Sequence, residues 1–275
     1  MNTDVITHVA EAPVSFLRPA LWKAPEYSGS QADLDAKAAM LAQRLAQIAA
    51  THVKPRFATS LAAEDMVLTD LIVKANLPIA VFTLETGRLP QATLDLLEQV
   101  EAHYAAAYAG RDLKIDRFAP RAEDVGNYVS SYGANAFYDS VEHRKLCCQI
   151  RKVEPLARAL TGADAWLTGQ RQEQAVTRAN LSFAERDDAR GGIAKYNPLL
   201  DWTEAEVWAY LRRHGVPVNA LYAQGYASIG CDPCTRAIKQ GEDARAGRWW
   251  WESAEKKECG LHEANLNGAK AAVQA

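Results

Sequence analysis

The sequence predicts an α/β domain with a mostly parallel sheet. Strand-like and helical segments alternate along the chain, one strand-like segment (LPIAVFTL, residues 77–84) is apolar throughout, and 48% of the 275 residues are hydrophobic. Alternation of the two element types is typical of layered α/β folds, and a strand without a polar face is typical of one covered on both sides. A chain of this length and hydrophobicity forms one large domain or two small ones.

The first elements of the alternation lie between residues 30 and 104. Residues 30–50 carry apolar side chains at helical spacing, and the short strand RFATSLA (residues 56–62) follows them. A second helix is expected to end at Asn76, before the apolar strand. The helix PQATLDLLEQVEAHY (residues 90–104) begins with proline, which is favoured in a first helical turn.

Three further segments continue the alternation. LKIDRF (residues 113–118) and AWLTG (residues 165–169) are strand-like, and TEAEVWAYLRRHG (residues 203–215) has helical spacing. Thr203 and Glu206 are spaced as a capping box, in which each side chain hydrogen-bonds the backbone of the other residue. The sequence therefore predicts at least four strands separated by helices, as in a parallel α/β sheet.

We divide the chain into three parts on composition. Residues 1–29 contain several prolines and little periodicity, and are interpreted as an N-terminal arm. Residues 30–240 form the predicted α/β domain. Residues 241–275 are polar apart from a WWW run, and are interpreted as a mobile C-terminal tail.

Charge and hydropathy argue against several classes of protein. The net charge of −3 lacks the basic excess of a general nucleic-acid binder. No apolar run approaches the length of a membrane span, and the N-terminus MNTDVITHVAEAP has no basic region of the kind that begins a secretory signal. We therefore expect a cytoplasmic protein that binds neither nucleic acid nor membrane. In a reducing compartment, five cysteines are expected to be metal ligands or catalysts rather than disulfides.

Four of the cysteines form a set. Cys147 and Cys148 are adjacent in HRKLCCQIRK, and Cys231 and Cys234 form the CxxC of GCDPCTR. Four thiolates fit either a tetrahedral zinc ion or an iron–sulfur cluster. An adjacent pair is unusual for structural zinc, so a [4Fe–4S] cluster is favoured over zinc, and a catalytic redox CxxC is the third alternative.

The fifth cysteine lies apart, in polar surroundings. Cys259, in KKECGLHE, follows two lysines and precedes His262. Nearby cations lower the pKa of an accessible thiol and make it nucleophilic. Cys259 is therefore either a reactive thiol or a chance cysteine in the tail, and its own neighbours favour neither alternative.

Two strand ends and a group of basic side chains are candidates for ligand binding. Ligands of parallel sheets bind at the carboxyl ends of strands, and arginine suits phosphate and sulfate oxygens. The candidates are Ser60, Glu85, Thr86, Gly87, Lys152, Arg171, Arg245 and Arg248. Taken alone, each of these residues is better explained by ordinary turn or surface chemistry. Together with the cysteine set, they predict an anion pocket, in which Trp249 can hold an arginine by a cation–π contact.

The motifs as a set resemble the assimilatory adenylyl-sulfate reductase branch of the phosphoadenylyl-sulfate reductase family. From about Phe57 to His262 they are SLAAED, LETGRLP, KLCCQIRKVEPL, LTGQR, GCDPCTR, RAGRWWW and KKECGLH. The resemblance implies a Rossmann-like fold of the adenine-nucleotide alpha-hydrolase type, with a [4Fe–4S] cluster on the four paired cysteines. Two departures stand out: SLAAED lacks the glycine pair of the pyrophosphate loop of related ATP-cleaving enzymes, and Glu85 stands where the family more often has Asp.

The resemblance also implies an activity. The family branch reduces adenosine 5′-phosphosulfate (APS) to sulfite and AMP in assimilatory sulfate reduction, which leads to cysteine biosynthesis. Cys259 would attack the sulfur and carry an S-sulfonate, until thioredoxin or a glutaredoxin-like dithiol released sulfite. The nucleoside would lie against the strand ends, at Ser60, Leu84, Glu85, Thr86 and Gly87. The basic residues would neutralise the phosphosulfate, and His262 would lie at the substrate or beside the thiol. The resemblance further implies a homo-oligomer.

Three alternatives stay open on the sequence alone. The first is a reductase for 3′-phosphoadenosine 5′-phosphosulfate, or for both nucleotides. The second is a redox sensor with an iron–sulfur or zinc site and Cys259 as its reactive thiol. The third is an ATP-using adenylyltransferase or thiolase, which would need the missing glycines.

Overall fold

A sheet of mixed direction forms the centre of the molecule. The computed structural model describes residues 19–108, 113–175 and 178–253. Within these ranges, six strands lie in the order β3-β2-β1-β4-β6-β5, and all neighbours are parallel except β5 and β6. The strands are β1 (Pro55–Ala58), β2 (Ala80–Leu84), β3 (Ile115–Phe118), β4 (Ala165–Leu167), β5 (Ala184–Asp187) and β6 (Ile193–Tyr196). The predicted α/β class with a mostly parallel sheet is confirmed.

Among the described residues, one α-helix precedes β1, α-helices connect the first four strands, and one α-helix follows β6. They are α1 (Gln31–Thr51), α2 (Ala63–Lys74), α3 (Gln91–Ala107), α4 (Ala122–Tyr132), α5 (Val141–Cys148), α6 (Glu154–Ala159) and α7 (Glu204–His214). The capping box of α7 is confirmed, because the Thr203 hydroxyl accepts from the Glu206 N–H and the Glu206 carboxylate accepts from the Thr203 N–H. In the part of the chain that the structure describes, no helix has the length and apolarity needed to cross a bilayer.

The sheet is covered on both faces, as the apolar second strand predicts. Phe57, Val81 and Leu167 are opposite one another in register and belong to the larger core, which α1, α2, α3 and α7 complete. Their neighbours on two of these strands, Phe82 after Val81 and Trp166 before Leu167, point to the other face and pack with residues of α6. The molecule is therefore a three-layer sandwich.

A π-helical turn, Gln149–Val153, joins α5 to α6. Such turns insert an extra residue into a helix and are frequent at functional sites. The turn directs Arg151 towards the end of β2, where its Nη1 donates to the Thr86 carbonyl oxygen at 2.8 Å. The sequence analysis gave no indication of this turn.

The first described residues pack against a later segment of the chain, around Ile238. The Trp22 N–H donates to the Ile238 carbonyl oxygen at 3.0 Å, and the Trp22 ring lies 6.2 Å from that of Trp208. Residues 19–29, which belong to the proposed arm, thus pack on the α/β layers of their own chain. The division of the chain at residues 29 and 240 stays a prediction.

The strand order creates a crevice. From β1 the chain moves outwards in one direction through β2 and β3, and then returns to place β4 on the other side of β1. The loops that follow β1 and β4 therefore diverge, and this is the position where open α/β sheets bind their ligands.

Candidate active site

A cavity of about 480 Å³ opens at the carboxyl ends of β1 and β4. Its volume lies within the range of small-molecule sites. Of the predicted binding residues, Ser60, Leu84, Thr86, Lys152, Arg171, Arg245 and Arg248 line it, together with Cys231. Glu85 and Gly87 lie outside this lining and form a local turn, in which the Gly87 N–H donates to a Glu85 carboxylate oxygen at 3.0 Å.

The loop after β1 is shaped by protein groups rather than left open for a phosphate. The Ser60 N–H and hydroxyl both donate to Asp65 Oδ2, at 2.6 and 2.7 Å. The Leu61 N–H donates to the Thr59 hydroxyl, and the Ala63 N–H donates to a tyrosine hydroxyl. The Asp65 side chain folds back over the loop, and the Ser60, Leu61 and Ala63 N–H groups all have protein acceptors. Binding of an anion in the cavity therefore depends on side chains.

Asp65 also joins this loop to the loop after β4. Burial raises the pKa of its carboxyl group to about 7, although hydrogen bonds from Ser60 and Gly169 favour the ionised form. A Cβ on Gly169 would lie 2.1 Å from Asp65 Oδ1. The glycine of the LTGQR motif is thus required for the close approach of the two loops at the strand ends.

Arg171 lines the cavity but is held by carboxylates. Its Nε and Nη2 donate to Glu64 Oε1 at 3.1 and 2.9 Å, and its Nη1 donates to Glu173 Oε2 at 2.9 Å. Burial by itself would raise the pKa of Glu64, but the Arg171 charge and several hydrogen bonds hold it below its ordinary value. Our prediction gave Arg171 the role of anion ligand, whereas its charge is already offset by two acidic side chains.

Arg178 is a cavity residue that the sequence analysis missed. It is buried, lines the cavity and donates from Nη1 to Gln174 Oε1. It lies seven residues after Arg171 in the same loop, where no helical or strand period shows which arginine faces inward. Besides Arg171, the basic residues of the cavity lining are Lys152, Arg178, Arg245 and Arg248.

Arg248 is fixed by its surroundings. Its guanidinium lies 4.9 Å from the ring centroid of Trp249, which agrees with the cation–π contact expected from the sequence. Its Nη1 also donates to the Ile229 carbonyl oxygen at 3.3 Å. A Cβ on Gly230 would lie 2.2 Å from Arg248 Nη2, so only glycine fits before the CxxC motif without displacing the arginine.

The two halves of the cysteine set meet beside the cavity. Cys147 and Cys148 end α5, while Cys231 and Cys234 flank a 3₁₀ turn, and all four are free thiols. The pKa of Cys234 is raised to about 12, chiefly by burial; the neighbouring Cys231 and Cys147 contribute to the rise, whereas Lys152 and Arg248 oppose it. Burial also raises the pKa of Cys147, against the opposing charge of Arg151, and Cys231 adds to that rise. Three thiols from both halves therefore act on one another.

The donor set can be tested for a metal group. Four buried or half-buried thiols need a cationic centre to become thiolates together. A single zinc ion requires all four sulfurs at about 2.3 Å from one point. Among the described residues, no group of three or more His, Cys, Asp or Glu side chains is arranged to hold a metal ion. An all-thiol donor set fits an iron–sulfur cluster, in which separate iron atoms take the thiolates.

The model of the phosphoadenosine phosphosulfate reductase domain matches residues 54–237. The chain belongs to the phosphoadenosine phosphosulfate reductase family. This confirms the family expected from the motifs.

Named relatives of this reductase family match over most of the chain. The adenosine 5′-phosphosulfate reductase of Neisseria meningitidis serogroup A is 57% identical over 251 residues, which cover 91% of this chain and 100% of the relative. The enzyme of the same name from Allochromatium vinosum is 59% identical over 206 residues, covering 75% of this chain and 77% of its own.

Solved structures confirm the fold. The phosphoadenylyl-sulfate reductase of Candida auris in complex with phosphate is 27% identical, with a TM-score of 0.59, and the match covers 77% of this chain and all of that one. The FMN adenylyltransferase of Candida glabrata with FAD and pyrophosphate is 14% identical, with a TM-score of 0.53 over 89% of this chain and 85% of its own. The second likeness shows the fold alone, and agrees with the predicted adenine-nucleotide alpha-hydrolase type.

Two predicted residues of the reductase lie outside the described chain. Cys259 and His262 follow the last described residue, Ser253. Their roles as nucleophile and as substrate or thiol neighbour stay predictions. The described chain ends at the WWW run, beside the cysteine set, because the Trp249 N–H donates to the Cys234 carbonyl oxygen at 3.1 Å.

Proposed function

We propose that this chain reduces APS to sulfite and AMP in assimilatory sulfate reduction. One observation carries the proposal: a nucleotide-sized cavity at the switch point of the sheet is lined by several cations and by one thiol of the cysteine set. Relatives named for this reaction, which match 75% to 91% of the chain, support the same substrate.

The lining suggests how APS is oriented. Side chains from the strands supply an apolar surface, notably Phe82, Leu84 and Trp166, which suits the adenine ring. The cations Lys152, Arg178, Arg245 and Arg248 also line the cavity and suit the phosphosulfate. Because Ser60 and its neighbours already donate to protein acceptors, we assign neutralisation of the phosphosulfate to these four side chains.

The first chemical step forms a covalent intermediate. The Cys259 thiolate attacks the sulfate sulfur, so that a sulfur–sulfur bond forms as the bond from sulfur to the bridging phosphate oxygen breaks. AMP leaves with the electron pair of that bond, and Cys259 carries an S-sulfonate. The cavity cations offset the negative charge that develops on the leaving phosphate.

The second step releases sulfite. A thiolate of a reduced protein dithiol, thioredoxin or a glutaredoxin-like protein, attacks the Cys259 sulfur, and sulfite leaves with the electron pair. The second thiol of the dithiol then attacks the mixed disulfide and returns Cys259 to its thiolate. The dithiol is oxidised by two electrons, and these two electrons reduce the sulfonate sulfur to sulfite.

Cys147, Cys148, Cys231 and Cys234 would hold a [4Fe–4S] cluster. When bound, this group supplies an anionic centre that organises the electrostatics of the site. Lys152 would connect it to the substrate, because this residue lines the cavity and its charge also acts on Cys234. Arg151 holds the π-helical turn against the end of β2, which keeps Lys152 at the cavity.

The decisive experiment is an intact mass after incubation with APS in the absence of reductant, on anaerobically prepared protein. We expect wild type to gain one sulfonate and Cys259→Ser to gain none. If wild type with its cluster intact gains no sulfonate, the covalent mechanism is wrong and a sensor role for the thiol takes its place. Steady-state rates with APS and with its 3′-phosphorylated form, each with thioredoxin, then decide the substrate.

A further inference from the structure

The chain segment that leads towards Cys259 is fastened to the helix that carries Cys147 and Cys148. In α5, Arg144 donates from Nε to Glu252 Oε1 at 2.9 Å and from Nη2 to Glu252 Oε2 at 2.7 Å. Arg144 is fully buried, and the Glu252 side chain is only 4% exposed. The pair is thus a bidentate ion pair removed from solvent, the most directional contact that these two side chains can make.

Trp249 reinforces the same junction. Its ring centroid lies 4.7 Å from the Arg144 guanidinium on one side and 4.9 Å from that of Arg248. Its backbone has a positive φ of 41°, which is costly for a bulky side chain and persists only where the surroundings impose it. Through the bond to the Cys234 carbonyl oxygen, Trp249 also contacts the CxxC half of the cysteine set. The segment is therefore held by both halves.

Stability alone does not account for a charged pair at this place. Desolvation of two buried charges offsets most of their attraction, and apolar side chains of similar volume commonly stabilise a fold as well or better. What the pair adds is direction, because the planar guanidinium fixes both the distance and the orientation of the carboxylate. Arg144 and Glu252 are thus suited to placing the segment rather than to holding the fold.

The number of residues between Glu252 and Cys259 limits how far Cys259 can lie from the ion pair. Cys259 is seven residues after Glu252, so its Cα can lie no more than about 24 Å from that of Glu252. We infer that Arg144 and Glu252 are a positioning pair for the sulfonation step: they fix the point, beside the cavity residue Arg248, from which the segment bearing Cys259 begins. The inference rests on the proposed function. Neither residue lines the cavity, and both act through Cys259.

The test compares variants of Glu252 with a matched variant of the same region. Glu242→Gln is the control, because its carboxylate lies 3.9 Å from Arg236 and is partly exposed. The rate of Cys259 sulfonation is followed by intact mass at saturating APS without reductant. AMP affinity and the ratio of iron to protein are measured alongside. We expect Glu252→Ala to slow sulfonation by at least about 10-fold, since small misplacements of a reacting group cost this much.

A doubly apolar variant separates placement from folding. Arg144→Met combined with Glu252→Leu removes both charges and keeps the packing, so it should fold and hold iron yet be as slow as Glu252→Ala. In all these variants AMP affinity and iron content should match wild type, and Glu242→Gln should keep the wild-type rate.

Three outcomes would overturn the inference. A wild-type rate of sulfonation in Glu252→Ala or in the doubly apolar variant overturns the inference. Slow sulfonation accompanied by lost iron or weakened AMP binding also overturns it, because the pair would then hold the fold. If wild type itself gains no sulfonate, the proposed function fails and this inference fails with it. If wild type is sulfonated and only the variants behave differently from the expectation, the inference alone fails.

Discussion

Arg171 and Glu64 form an enclosed ion pair in the cavity lining. Replacement of Arg171 by Met would leave the Glu64 carboxylate mostly buried without its cation, which costs about 3 kcal/mol. Arg171→Met combined with Glu64→Gln should recover part of this loss, because the stranded charge is gone. Denaturant unfolding of the four proteins in the cycle measures the coupling. Strictly additive losses would show that the two side chains do not stabilise each other.

The carboxyl group of Asp65 should give the protein a pH-dependent stability. Its pKa rises on folding from 3.8 to about 7, chiefly through burial. Between these values the folded protein keeps a proton that the unfolded chain releases, so the contribution of Asp65 is greatest below about pH 4 and is lost as pH rises towards 7. Relative to Asp65→Asn, wild type should therefore lose free energy of unfolding across this window. A difference between the two proteins that stays constant with pH would contradict the assignment.

The sequence predicted residue types better than residue contacts. Both CC and CxxC cysteines, Lys152 and Arg248 could be recognised because their chemistry is unusual at that spacing. The bond from Ser60 to Asp65 could not, since an acidic residue in a first helical turn is common whether or not it folds back. Nor could the pairing of Arg171, because its partner Glu64 is distant in sequence and meets it only across the strand ends.

Elements with strong periodicity or caps were predicted most closely. The helix expected over residues 203–215 is α7, with its capping box formed. The β5–β6 hairpin was missed because its strands, AERD and IAKY, lack the regular alternation of apolar and polar residues that predicts a strand. The π-helical turn was missed for a different reason: a π turn has no sequence signature separable from that of an α-helix. Yet this turn places Arg151 at the end of β2 and Lys152 in the cavity lining, so the positions of these two site residues depend on an element that the sequence does not reveal.

The capping box of α7 gives a prediction about the stability of a single element. Thr203→Ala removes the side chain that accepts from the Glu206 N–H, and it should lower the free energy of unfolding by about 1 kcal/mol. Thr51→Ala is the control, since the Thr51 hydroxyl only donates to the Gln47 carbonyl oxygen at the exposed end of α1. Urea unfolding measures both variants. A loss at Thr203 no larger than the loss at Thr51 would show that the capping box contributes nothing.

At the scale of the whole molecule, topology accounts for the place of the site. Alternating elements predicted a parallel sheet, but not that β4 returns beside β1, because strand order depends on contacts between residues more than a hundred positions apart. Once that order is known, the crevice follows from the divergence of the two loops. The cysteine set then meets the crevice because α5 and the CxxC turn both approach it.

This placement predicts where a nucleotide stabilises the protein. AMP at 100 times its Kd should add about 2.7 kcal/mol to the free energy of unfolding, through binding to the folded state alone. Arg178→Met removes one cavity cation, and a tenfold weaker affinity would reduce that gain to about 1.4 kcal/mol at the same AMP concentration. Arg186→Met is the control, because Arg186 is exposed on β5 at the edge of the sheet and should leave the gain unchanged. An unchanged gain in Arg178→Met, or a reduced one in Arg186→Met, would place the nucleotide away from the switch point.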